Sequence, residues 1–337
     1  MKILFLFIII CVTLSCQNKK QKEEIPLTLE KQLEQLPDSM KIEDIVIYNT
    51  FKHQILAHKN NEYDSLLIAN KVYKPHQTLW DNCYGMIFGE ENATKFNNPE
   101  GMIQWNKTLY PDNRIFFDRQ AETLLSLNID SLFQTNLKHF NNLVPYKISS
   151  RISIAFVPFQ GIGFGGCSSD QFVYELNNPE FDIKYSMEKG IPHELNHLAY
   201  EPFRYKDPYT QTALAQTIDE GFACYFTRVF FNLELSPEEA VEDMSEKDWN
   251  WYMQHEKEIF TKCKPYFYDE SGDNPLLRND QYKIFSDAPR SLNYWLGYRI
   301  IEFYVKKNGT DSWKEIYTMP IEQVYKDSGY EGYINTL

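Results

Sequence analysis

Residues 193–197 read HELNH, and the two histidines can share one ion only if this stretch is an α-helix. On a helix a spacing of four puts His193 and His197 on one face, one turn apart. Glu194 is turned by about 100° from His193, so it does not easily join them as a third ligand, yet it stays close enough to act on a water beside the ion. Two imidazoles with an adjacent carboxylate in this pattern point to a zinc site that carries its own base. The chain contains a control: His255-Glu256 repeats the first half of the pattern, but position 259 is Ile. Pro192 limits where the helix starts. It is tolerated in a first turn, so the helix begins near Ile191 or is kinked just before the histidines.

A catalytic zinc keeps three protein ligands and an open position. The next helical pattern, TALAQTIDEGFACYFTRVFF at 212–231, has an apolar stripe of Leu214, Ile218, Phe222 and Phe226. Glu220 falls on the other side, among Ala213, Gln216, Thr217, Ala223 and Cys224, which are small or polar and suit close approach of another helix. A solvent-facing glutamate is expected among longer charged residues, as in LSPEEAVEDMSEKDW at 235–249. Glu220 is therefore the expected third ligand, with Asp219 the neighbouring alternative. Farther on, NYWLGYRIIEFYVKKNG at 293–309 places Tyr294 and Tyr298 four apart around Gly297. Aromatic packing around a glycine notch accounts for such a pair, and a phenol aimed at a reacting carbonyl is the functional alternative.

The motifs HELNH, then DEGFA, then YWLGY occur in that order over residues 150–337, and together they resemble the gluzincin group of zinc metallopeptidases. The EGFA string is similar to a segment of the zinc aminopeptidases, although the interval from HELNH is longer here and their G-x-M-E-N loop is absent. The closer resemblance is to a bacterial group of predicted zinc-dependent proteases of unknown function. It implies an α+β, zincin-like fold with a small mixed sheet, Zn2+ held by His193, His197 and Glu220, Glu194 as the catalytic base, and Tyr294 as a donor to the tetrahedral intermediate. The implied substrate is a peptide or protein. Two alternatives stay open: a non-catalytic envelope lipoprotein that binds glycans or protein partners, and a zinc hydrolase of non-peptide amides.

The rest of the chain bounds these readings. MKILFLFIIICVTLSC has one lysine, an apolar run too short to span a membrane, and a small residue before Cys16. Residues 1–15 are expected to be a signal peptide. Cys16 is expected to be the lipidated first residue of an exported chain, although Thr13 stands where such signals usually carry leucine. Residues 16–40 are expected to tether the fold to the membrane. A net charge of −13 argues against nucleic-acid partners. GIGFGG at 161–166 matches a dinucleotide fingerprint in letters only, because a strand pattern, FVYEL, stands where a helix should receive the pyrophosphate. No nucleotide is expected, and the glycines are read as a turn beside a cleft strand able to pair with substrate. Cys83, Cys167, Cys224 and Cys263 are free to form disulfides in an oxidising compartment, and nothing in their spacing requires it. Residues 41–140, including IEDIVIYNTFKHQILAH, have mainly helical spacing. The catalytic part is expected over 141–337, alone or continuous with 41–140.

Overall fold

The computed structural model describes residues 27–85, 89–158, 161, 163–168 and 170–337. The expected signal peptide and Cys16 lie outside the described residues. The expected tether does not extend to residue 40. Leu29–Gln35 is a helix capped by Thr28, with Leu33 fully buried, and Ser39–Ile42 is a strand, β1. Leu29, Leu33 and Leu36, at spacings of four and three, give this otherwise polar segment an apolar stripe that packs on the core.

The architecture is α+β. A five-stranded mixed sheet runs β1-β2-β3-β5-β4, with β2 at Ile45–Tyr48, β3 at Ser150–Ala155, β4 at Phe164–Ser168 and β5 at Gln171–Glu175. The outer pairs β1·β2 and β4·β5 are antiparallel, and β2·β3 and β3·β5 are parallel. Two expectations are corrected here. Within IEDIVIYNTFKHQILAH the β-branched run Ile45–Tyr48 is strand, and the helix begins only at Thr50. FVYEL is an interior strand, buried along its length and hydrogen-bonded on both sides, so it offers no free edge. The second half of the glycine run, Phe164–Gly166, is strand: it opens β4, the sheet edge, and Gly163 just before it has a φ of 103° that favours glycine.

The remaining chain is largely helical. Pro99–Ser126 is two helical stretches joined at a kink at Asn113, two residues after Pro111, and Ile129–Leu143, capped by Asn128, packs on β1; both contribute to the core. Three helices frame the cleft: Ile191–Arg204, Ala213–Phe230 and Leu292–Asn308. The first two motif helices pack on each other, and the second packs more extensively on the third. One apolar cluster reaches from Leu33 to Ile334, so both halves of the chain share a core. Cys83 and Cys167 form a disulfide that ties the turn at Trp80–Tyr84 to edge strand β4, and Cys224 and Cys263 are free and buried.

Candidate metal centre

The histidine helix begins at Ile191, with Pro192 in its first turn, and a π-turn at Ser186–Gly190 leads into it. The wider turn lets the proline ring enter without meeting the carbonyl that a regular helix would place against it. The glutamate helix starts at Ala213, where the Thr212 hydroxyl accepts a bond from the Ala215 N–H. Leu214, Ile218, Phe222 and Phe226 are fully buried, as their stripe requires, and the opposite face meets the histidines.

There the three expected ligand atoms converge. His193 Nε2 and His197 Nε2 lie 3.1 Å apart, and each is 3.3 Å from Glu220 Oε2. The far nitrogen of His197, Nδ1, is 2.8 Å from Asp219 Oδ1. An Nδ1–H donated to that carboxylate leaves Nε2 with its lone pair facing the other two atoms. Three acceptors then face a common centre with too few protons between them, a donor set that fits a divalent cation of the zinc type. Asp219, the alternative ligand, lies behind His197 instead.

A second His-carboxylate group, His197 with Glu201 and Asp219, has comparable spacing. Its cation is already present as a side chain. Arg204 Nε lies 2.9 Å from Asp219 Oδ2, and a terminal nitrogen of Arg204 lies 3.8 Å from Glu201.

Glu194 lines the same cleft, which has a volume of about 1130 Å³, and has no hydrogen-bonding partner among the described residues. Burial pushes its carboxyl above the usual range, against the pull of the two histidines. A carboxyl beside the converging ligand atoms is suited to taking and returning a proton. The Tyr294 ring stacks beside His193, with centroids 6.2 Å apart and planes 18° from parallel. Burial, and then the nearby carboxylates, raise its phenol well above the ordinary value, so it stays a donor. Tyr298 has the other role weighed for this pair. It is fully buried, it accepts a hydrogen bond from Arg228 at 2.7 Å, and it packs on Tyr225 and Trp249.

The glycine notch brings Tyr294 to this cleft. A Cβ on Gly297 would lie 1.8 Å from the Thr217 carbonyl oxygen, and one on Gly221 would lie 2.0 Å from the Gly297 carbonyl carbon. Both helices therefore depend on glycine at their crossing. The remaining histidines are occupied elsewhere: His53 with Asp38, His58 with the Asn106 carbonyl, His76 with Thr50, His139 with the Phe230 carbonyl and His255 with the Trp251 carbonyl.

Sequence reasoning missed Arg204 and the part played by Asp219. His193, His197, Glu201 and Arg204 follow at spacings of four, four and three along one helix face, which places Arg204 on the side of the histidines but does not show that it meets Asp219 on the next helix.

A family model described as Predicted Zn-dependent protease (DUF2268) matches residues 138–326. The chain belongs to this family. The matched region of this predicted Zn-dependent protease contains His193, Glu194, His197, Glu220 and Tyr294, but starts inside the helix Ile129–Leu143, after strands β1 and β2. No curated protein and no solved structure matches the chain.

Proposed function

We propose that this protein is a zinc-dependent peptidase of the gluzincin type, with a zincin-like catalytic part and peptides or proteins as substrates. The observation that carries the reading is the convergence of His193 Nε2, His197 Nε2 and Glu220 Oε2 beside an unpartnered Glu194. Those three side chains would hold the ion. Bound there, zinc supplies Lewis acidity that polarises a carbonyl and lowers the pKa of a water toward roughly 7. Glu194 accepts the proton of the attacking water and returns it to the leaving amine. The Tyr294 hydroxyl donates a hydrogen bond to the oxygen that gains charge. Edge strand β4, whose Gly165, Gly166 and Cys167 line the cleft, is placed to align an extended substrate backbone by strand addition. This is the role first expected of FVYEL, moved to its neighbour.

Two analyses test the reading together: metal content of the purified protein, and cleavage of a peptide library by the native and Glu194→Gln forms. About one zinc per chain with peptide cleavage lost in the variant is the expected result. Zinc without peptide cleavage would favour a non-peptide amide, and a protein lacking both would leave the glycan- or protein-binding alternative.

We also propose that the chain is exported and anchored in the bacterial cell envelope through a lipidated Cys16. The support is the signal-like stretch 1–16 and the Cys83–Cys167 disulfide, a bond that persists mainly in oxidising compartments. Among the described residues no helix is long and apolar enough to cross a membrane. Mass spectrometry of the mature N-terminus is expected to find acylated Cys16; an unmodified terminus on a soluble protein would remove the anchor and leave the peptidase reading untouched.

A further inference from the structure

Arg204 is the last residue of the histidine helix, on the same face as His193 and His197. Its side chain is 8% exposed and that of Asp219 is 7%, so this ion pair is largely sealed from water. Each oxygen of Asp219 has one partner: Oδ1 faces His197 Nδ1 at 2.8 Å, and Oδ2 faces Arg204 Nε at 2.9 Å. The Arg204 N–H is not aimed along that line, so the contact is ionic in character. A second anchor holds the guanidinium, because Nη1 donates to the Thr210 carbonyl at 3.0 Å. The plane of Arg204 also lies over the Tyr205 ring, 4.8 Å from its centroid. Three fixed points on a rigid fork leave Arg204 little freedom, and it passes that restriction to the Asp219 carboxylate.

We propose that Arg204 is a positioning residue for the metal centre, acting through Asp219 to hold the His197 imidazole with Nε2 toward the ion. The proposal rests on the zinc reading above. A buried carboxylate that loses its counter-charge is costly and turns toward any other donor, and an imidazole whose Nδ1–H has lost its acceptor is free to rotate away from the ion. The guanidinium also balances the second negative charge that Asp219 adds beside Glu220. Without it, two adjacent carboxylates would face the histidines with no fixed cation behind them.

The test measures zinc dissociation constants by chelator competition, and cobalt(II) absorption spectra, for native protein, R204Q, R204K, D219N and the R204Q/D219N double variant. Thermal unfolding of the metal-free forms runs alongside as the control for a merely structural effect. R204Q and D219N are each expected to weaken zinc by roughly 10- to 100-fold and to shift the cobalt spectrum. The double variant is expected to be about as weak as D219N alone, because both changes break one chain of contacts. R204K is expected to recover part of the affinity, since it restores the charge but not the fork. Zinc binding by R204Q within about twofold of native, with an unshifted cobalt spectrum, would overturn the proposal, as would a double variant whose losses multiply. If R204Q does not fold, the same comparison is made on R204K, where native affinity and an unshifted spectrum overturn the proposal. A native protein that binds no zinc would overturn the zinc reading itself, a result distinct from tight native binding that is indifferent to Arg204.

Discussion

Gly221 and Gly297 meet back to back where two helices cross, so closely that a methyl group on either would enter the other helix's backbone. Glu220 precedes the first glycine by one residue, and Tyr294 precedes the second by three, so this single contact brings ligand and phenol to one cleft. Replacing Gly297 with alanine tests it. Alanine improves intrinsic helix propensity by about 1 kcal/mol, but the new Cβ would sit 1.8 Å from the Thr217 carbonyl oxygen. Overpacking of this severity is expected to win, with a net loss of roughly 1–3 kcal/mol or more. Denaturant unfolding measures it, and a Gly297→Ala protein as stable as native would show that the crossing is looser than described.

Glu194→Gln separates binding from chemistry. The three converging donor atoms are untouched, so zinc content is expected to remain at the native level. Peptide hydrolysis is expected to fall by roughly 10²–10⁴-fold because the attacking water loses its base. Glu220→Ala is expected to do the reverse first, weakening zinc itself by removing one of three ligands. Zinc analysis and hydrolysis measured side by side distinguish the two. Native turnover by Glu194→Gln would show that the base lies elsewhere.

Tyr294→Phe keeps the ring stacked on His193 and deletes only the hydroxyl. Zinc content and thermal stability are expected to hold, while turnover drops by about 10²–10³-fold, the usual cost of losing one oxyanion donor. Tyr298→Phe offers the contrast. It removes the acceptor of the Arg228 hydrogen bond, so its effect is expected on stability and not on the turnover of folded protein.

Acid sensitivity is expected to begin above the range where carboxylates titrate. His76 is pushed down to about 4, first by burial and then by the charge of Arg151, and His53 is pushed down to about 4 by burial despite Asp38 nearby. Both folded values lie below the ordinary histidine value of about 6.5. Between pH 6.5 and 4 the unfolded chain therefore binds more protons than the folded one, so stability falls as pH falls across that window. Each residue contributes a loss on the order of 3 kcal/mol by the lower end. Asp38, held down to about 2 mainly by its hydrogen bond from Lys52, loses its contribution only at lower pH. Urea midpoints at pH 7, 5.5 and 4.5 are compared between native protein and His76→Gln, whose fall with pH is expected to be the shallower; identical slopes for the two would contradict the assignment.

The cleft was legible because its chemistry repeats at helical spacing. His193 and His197 are four apart, Glu220 lies opposite an apolar stripe, and Tyr294 and Gly297 share a turn, all of which follow from 3.6 residues per turn. The sheet was less legible. Ile45–Tyr48 looks helical inside its longer segment, and only its pairing with β1 and β3 makes it a strand. The interior place of FVYEL depends on β4, whose glycines read as a turn in isolation. Arg204 was hidden for a related reason: its value lies in a contact with Asp219 on another helix, and no spacing within one helix reveals which carboxylate a guanidinium will meet.

The pairing of β2 with β3 carries a further meaning for how this chain acquires its cleft. Ile47 lies opposite Ile152, roughly a hundred residues away in sequence, a separation that slows folding because loop closure must precede the reward of pairing. The family region starts at residue 138, so a chain truncated there would keep the metal ligands but leave β3 as an unpaired edge beside exposed apolar surface. The unit that folds is thus larger than the unit the family model describes. Both halves are expected to melt in one cooperative transition, and the order of synthesis puts the first two strands in place long before the partner that makes them part of a sheet.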